Sequence, residues 1–364
     1  MRSSRREFLL CAAACAGASG AEAQEYPSEI TRYKDRATEF DVYRLTDPAH
    51  SSWLPASYER AVSRRDSFLL YSSDRSGSLQ AYRMDIRTGQ SRLLTRAQNL
   101  IKESLTLAPD ERSFFYLDGR SAFLASLSSM RTREVHRIQD SFELGQGFSV
   151  TEDSLYATLV EQKSGLSRLR LVTLRTGGAQ TLVESPDPIS DPIPRPRRAG
   201  VLYRRGNGEL WLVNFDGAQN RKLHVAAGGL GPAVWSEDGR TVLYLNFPSD
   251  PKQLYGLREA TPDSNDDHLI STTSQFVGFG RNADSSIFVG ASGSKASPYV
   301  LLLVRSAKRE LTLCEHRASD PHIVSPIFAP NSQRVFFQSD KDGKLAIYCM
   351  VVDKLVEQTD VEDK

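Results

Sequence analysis

Short runs of Phe, Tyr, Val, Ile and Leu recur along the chain, each introduced by a short polar turn. The runs are "SFLLYSSD", "SFFYLD", "LYATLVE", "GVLYRRG", "TVLYLNF", "SIFVGAS" and "RVFFQSD". The turns before them are "SRRD", "APDE", "TED", "RPRRA", "SEDG", "NADS" and "APNS". Runs of this length and composition predict strands. Asp, Asn and Gly tolerate the tight connections that antiparallel strands need. With Asp66, Asp110, Asp153, Arg198, Asp238, Asp284 and Asn331 as markers, the units recur at roughly 40–47 residues, the length of a four-stranded propeller blade. The later part of each unit repeats too. "QAYRMDIRTGQSRLLT", "RLRLVTLRTGGAQTLV" and "ELWLVNFDGAQNRKLH" each predict strand, turn, strand, with apolar residues at alternate positions of the third strand.

The pattern predicts an all-β fold: a seven-bladed β-propeller of four-stranded antiparallel blades over residues 39–358. "EFDVYRLTD", Glu39 to Asp47, is an extra strand that would close the ring against the last blade, with "KLVEQTD" competing for that place. Residues 24–38 are a lead-in and residues 359–364 a tail. The last blade begins at "SDPHIVSPIFAPNSQRVFFQSDKDGKLAIY", which predicts strand, turn, strand, turn, strand, with His322 just before the first strand.

Composition narrows the function. A quarter of the 364 residues are charged and the net charge is +1. That balance argues against nucleic acid as a partner, since phosphate binding needs a net basic face. No stretch reaches the apolar length of a membrane span. Residues 1–23 differ from the rest: Arg5-Arg6, Phe8-Leu9-Leu10, an Ala-rich run and Ala21-Glu22-Ala23. This is the layout of an export signal of the twin-arginine type, which predicts a bacterial protein, periplasmic or secreted. Cys314 and Cys349 are left in the mature chain, either as a disulfide or as two buried thiols. No C-x-x-C pair exists, so a cysteine-bound zinc is excluded. The chain is expected to act as a monomer.

A propeller binds ligands at a mouth of its central funnel, where innermost strands converge. Those positions lie a few residues before each marker, and they include Tyr58, Arg60, Lys102, Glu103, Asp191, Arg195, Pro232, Gln275 and His322. Arg204 and Arg205 add basic charge nearby.

The ordered set of motifs resembles the oligogalacturonate lyase family. "ITRYKDRATEFDVYRLTDP" is similar to the family's opening, with Tyr-x-Asp and then Val-x-Arg-Leu-Thr. "DPIPRP" resembles its His-Pro-Ile-Tyr-Arg-Pro, and "AVWSEDGRTVLYL" its His-Glu-Phe-Trp followed by Pro-Asp-Gly. "LCEHRASD" and "SPIFAPNSQRVFFQSDKDG" match in the same order. The resemblance implies a seven-bladed propeller of the TolB-like kind that cleaves pectin-derived galacturonate chains by β-elimination. It implies a histidine base and a manganese site of histidines plus a glutamine. Such chemistry needs a base for the proton alpha to the carboxylate and a cation for the charge that builds there.

Carried over position by position, those groups are replaced. The base histidine falls on Asp191 and one metal histidine on Pro232. The Gln-x-x-His-x-His cluster falls on Asp320, Ile323 and Ser325, with His322 one position off and therefore, in a strand, on the opposite face. No metal ligands and no cofactor are therefore expected. The candidate catalytic residues are Asp191 and Arg195, the arginine being either a uronate clamp or an ion-pair partner of Asp191 or Glu184. Such an arginine would lower the Asp191 pKa. The candidate ligand-binding residues are Tyr58, Arg60, Lys102, Arg204 and His322; His316 is expected to be structural. The expected function is binding of an acidic, uronate-containing oligosaccharide with manganese-dependent lysis doubtful. One alternative is a TolB-like propeller that binds an envelope protein. The other is an active lyase in pectin breakdown that uses a different base. An open, basic funnel favours the saccharide; a plugged one with an apolar rim patch favours a protein partner.

Overall fold

The computed structural model describes residues 24–250 and 252–355. The export signal predicted in residues 1–23 and the tail at 359–364 lie outside the described residues. Those described are almost all strand and turn in a propeller-like, all-β arrangement, with one 3-10 helix at Pro321–Val324. No described helix is long and apolar enough to cross a membrane.

The strands form six sheets among the described residues. Three have four antiparallel strands in chain order, for example Gly229–Trp235, Val242–Phe247, Gly256–Thr261 and Asp266–Thr272. One has eight, but it is two four-stranded meanders joined at a single parallel bridge, Gln146 to Ser190. The second strand of each unit is buried on both faces, which is why it reads as a continuous apolar run: Phe68–Ser73 and Ile287–Ser292 are buried throughout. The fourth strand is outermost and mostly exposed, as in Thr132–Arg137.

The polar markers work through one local device. Asp110, Asp153, Asp238, Asp284 and Asn331 each accept the backbone N–H two residues on, closing an Asx turn. The residue after each marker is left-handed: Glu111, Ser154, Gly239, Ser285 and Ser332. Two units shift this toward the N-terminus, one by a single residue and the other by two. There the left-handed residues are Asp66 itself and Arg197, and the Asp66 carboxylate is paired with Arg334 from the last unit.

The ring closes through Asp41–Arg44, which pairs antiparallel with Ala346–Val351. "KLVEQTD" does not take that place: Lys354 and Leu355 follow the last strand as a helical turn, and residues 356–364 lie outside the described residues. The segment 24–38, expected as a lead-in, supplies two strands, Glu25–Tyr26 against Ser91–Leu93 and Thr31–Lys34 against Asp41–Arg44. The buried apolar clusters lie between neighbouring units of the ring. One of them joins Leu54, Leu69 and Tyr71 of the first unit to Ile327, Phe336 and Ile347 of the last. Cys314 and Cys349 are buried free thiols on separate strands.

Candidate functional site

The innermost strands line two cavities that share Ser57, Tyr58 and Ile193. The larger, about 570 Å³, is lined by early residues of these strands and the connections before them, including Gln146, Asp191, Pro232 and His322. The smaller, about 350 Å³, is lined by late residues and the turns after them, including Glu59, Arg60, Arg195, Trp235 and Arg281. The positions expected at one mouth are therefore divided. Asp191 lies on the strand Ile189–Pro194 and Arg195 just past its end, four residues on, which at the usual extended rise separates them by roughly 13 Å.

Arg195 is consequently not the partner of Asp191 or of Glu184. It forms a two-pronged pair with Asp263, Nη1 to Oδ1 at 3.1 Å and Nη2 to Oδ2 at 2.9 Å, and its Nε donates to the Gly239 carbonyl at 2.6 Å. Its guanidinium also lies over the Trp235 ring at 5.1 Å. Gly239 is required there: its φ is +67°, and a Cβ would stand 2.2 Å from the Pro196 carbonyl oxygen.

The partner of Asp191 is Arg204, Nε to Oδ2 at 3.3 Å. The hairpin explains this, because Ser190 is in register with Arg204 on the next strand. The pairing is irregular between Ser190 and Ile193, and Asp191 sits in the left-handed region at φ 48°. Gly147 on the neighbouring strand makes room: a Cβ there would fall 2.4 Å from Pro192 Cδ and 2.9 Å from the Asp191 nitrogen. Arg204 is anchored by donating to the Gly208 and Gly231 carbonyls. Burial raises the Asp191 pKa, and the opposing pull of Arg204 does not reverse it. The expectation that an arginine neighbour would leave Asp191 a weaker base is corrected accordingly. Burial likewise lowers the Arg204 pKa, partly countered by Asp191. Half-buried Tyr58 faces this pair. Burial pushes its phenol well above the ordinary value, and Asp191 adds to the shift.

His322 does not lie beside a strand. It belongs to the 3-10 helix Pro321–Val324, capped by Asp320, whose carboxylate accepts the His322 N–H at 2.9 Å. Strand parity therefore does not apply. His322 and Ser325, the left-handed residue that ends the helix, both line the larger cavity. Gln338 holds this segment in place, accepting from Leu54 N at 2.7 Å and donating to the Ile323 carbonyl at 2.9 Å.

The remaining candidates are placed as follows. Arg60 lines the smaller cavity and donates to the Glu152 carbonyl at 2.9 Å. Lys102 lines neither cavity; it is exposed, 3.7 Å from Glu103 and over the Trp53 ring. Gln275 also lines neither, whereas Glu103 lines the larger. His316 is 1% exposed, with Nε2 at 3.0 Å from the Ser292 carbonyl and Nδ1 accepting from Ala318 N. Sequence reasoning missed Glu59, Arg281 and Asp263. Glu59 is 8% exposed, with Oε1 buried and bonded to nothing, and burial raises its pKa to about 7. Its place directly before Arg60 carried no signal of burial. Among the described residues no group of three or more His, Cys, Asp or Glu is disposed to hold a metal ion.

No family model matches the chain. It is 22% identical over 385 aligned positions to the oligogalacturonide lyase of Pectobacterium atrosepticum, covering 90% of this chain and 97% of that one. It is 22% identical to the oligogalacturonate lyase of Dickeya dadantii, covering 87% and 94%. Among solved structures, an oligogalacturonate lyase in complex with manganese superposes with a TM-score of 0.85 at 21% identity, covering 90% of this chain and 97% of the other. The Vibrio parahaemolyticus oligogalacturonate lyase gives 0.84 at 22% identity, covering 91% and 99%. Sequence likeness to oligogalacturonate lyases thus runs along nearly the whole length of the chain, and its fold is the one those structures share.

Proposed function

We propose that the larger cavity binds a short acidic, uronate-bearing oligosaccharide, and that it does so without a manganese centre. The Asp191–Arg204 pair carries this reading. Arg204 is fixed by two backbone carbonyls and presents further N–H groups at a cavity wall, where a uronate carboxylate can be gripped in low dielectric. The cavity is open and of the size small-molecule sites have. The donor set does not suit the metal held by the similar structure. Asp191 is committed to Arg204, the Gln338 amide to Leu54 and Ile323, and Pro232 offers no side-chain ligand, which leaves His322 as the imidazole on the cavity wall. Seven blades are part of the same reading: the eight-stranded sheet divides into two units, and seven buried clusters alternate with the units around the ring. The pattern of residues 1–23 supports export to the periplasm or beyond.

A metal-independent lyase is the second reading, favoured by the raised proton affinity of Asp191. Asp191 would take the proton alpha to the carboxylate, Arg204 would hold the charge formed there, and the glycosidic oxygen would leave as the ring double bond forms. Calorimetry and ultraviolet absorbance with trigalacturonate, with manganese and separately with chelator, test both. Binding that survives chelator and falls roughly tenfold or more in Arg204→Gln is expected. Chelator-resistant absorbance from the unsaturated product, lost in Asp191→Asn, selects the second reading. Absorbance that requires manganese overturns both, and no binding at all leaves a protein partner.

A further inference from the structure

The smaller cavity holds two arginines that have no carboxylate in contact. Arg60 and Arg281 both line it, and neither has a carboxylate within 4.0 Å among the described residues. Their guanidinium groups are tied to backbone carbonyls alone. Arg60 donates to Glu152 and Thr151; Arg281 donates to Trp235 at 2.8 Å, Asn282 at 3.0 Å and Ala283 at 2.9 Å. Both are lowered in pKa, first of all by burial. Removing a guanidinium from water without a counter-charge is costly, and two in one cavity repeat that cost. Most arginines of this fold that are as enclosed have a carboxylate; Arg195 beside them has Asp263.

The acidic residues around the cavity act on these two arginines at a distance and pair with neither. Glu237 is exposed and lies 3.8 Å from Arg197. Glu59 is enclosed, with the Thr106 and Ser149 hydroxyls as neighbours, and its carboxyl is half protonated near pH 7. Glu152 is exposed, and its charge is felt by both Arg60 and Arg281 without pairing with either. Glu237, Asp238 and Asp284 act on Arg281, and Glu59 and Asp153 on Arg60, in the same way, so what both guanidiniums lack is a carboxylate in contact.

We propose that the smaller cavity is a second ligand site, in which Arg60 and Arg281 together hold one small oxyanion, a phosphate or the carboxylate of a small acid. Trp235 and Phe328 supply an apolar wall, so the anion is gripped in a region where charge-assisted hydrogen bonds are strong. The site stands independently of the saccharide reading, since its cations are different residues and it lies beyond Tyr58 and Ile193 from Arg204.

The test is calorimetric titration of the full chain with inorganic phosphate and, separately, with galacturonate. The same titrations are made on Arg60→Gln, Arg281→Gln and Arg204→Gln. The expected result is saturable binding of at least one anion that weakens roughly tenfold or more in both smaller-cavity variants and holds in Arg204→Gln. Phosphate alone binding assigns a phosphate site, and galacturonate alone a carboxylate site. Because Arg281 also ties down the turn at Asn282, Arg281→Lys serves as the folded control and should retain part of the affinity. Binding of neither anion, or binding lost in Arg204→Gln but kept in the other two, overturns the proposal.

Discussion

Glu59→Gln should change how the stability of this protein depends on pH. In the folded chain the Glu59 carboxyl is 8% exposed and one oxygen has no partner, so its proton is held up to about pH 7 rather than the ordinary 4.5. The unfolded chain binds fewer protons at this position than the folded one between those two values. Stability therefore falls as pH rises through that window, and this contribution is fully favourable only below about 4.5. Each pH unit in the gap costs about 1.4 kcal/mol, so the gap as a whole amounts to about 3 kcal/mol. Glutamine fills the same space without a proton to lose. The variant should match the wild type near pH 4.5 within the error of losing one hydrogen bond, and exceed it by up to about 3 kcal/mol above pH 7. Urea midpoints for both proteins, measured in steps across that window, give the comparison. The other shifted groups, Asp66, Asp191 and His316, are present in both proteins and cancel in the difference. A stability gap that stays constant with pH would refute the assignment of a proton to Glu59.

Two further substitutions test the turns and the pair that fix the inner strands. Gly239→Ala forces a Cβ to 2.2 Å from the Pro196 carbonyl oxygen at a φ of +67°, and should lower stability by about 1–3 kcal/mol, seen as a fall in melting temperature. Arg195→Met removes the pair with Asp263 and the bond to Gly239. Because Asp263 is half exposed and can resolvate, the loss should be about 1–3 kcal/mol, read from the same melts, and not the larger cost of stranding a buried charge.

The fold was legible because its signals are local. An apolar run buried on both faces, an Asx turn before it and an alternating strand after it are all properties of a dozen neighbouring residues. Asp110, Asp153, Asp238, Asp284 and Asn331 mark turns in the sequence for the same reason they close them in the structure: each side chain accepts the N–H two residues on. Ring closure was harder. Asp41–Arg44 and the segment after Val351 have similar strand composition, and only a contact across some 300 residues decides between them. The strands in residues 24–38 are too short to show a period, and the first of them pairs out of chain order, Glu25 with Arg92.

The site was legible as a set of residues and illegible as a set of partners. Asp191, Tyr58, Arg204 and His322 do line one cavity, but the sequence suggested Arg195 for Asp191 because the two are close along the chain. In a strand, closeness along the chain means separation in space, since each residue adds about 3.3 Å. The nearer neighbour is across the hairpin, where Ser190 faces Arg204. A turn divides Glu59 from Tyr58 in one step: Tyr58 lies at the shared waist of the two cavities and Glu59 in the wall of the smaller one. The 3-10 helix at Pro321–Val324 reverses the lesson. There strand parity does not apply, and His322 and the left-handed Ser325 line the same cavity. Residue chemistry at a propeller's centre therefore depends on register and on local helix type, and register in these inner strands is set by features such as the irregularity at Asp191 and the Gly147 contact, neither of which follows from hydrophobic pattern.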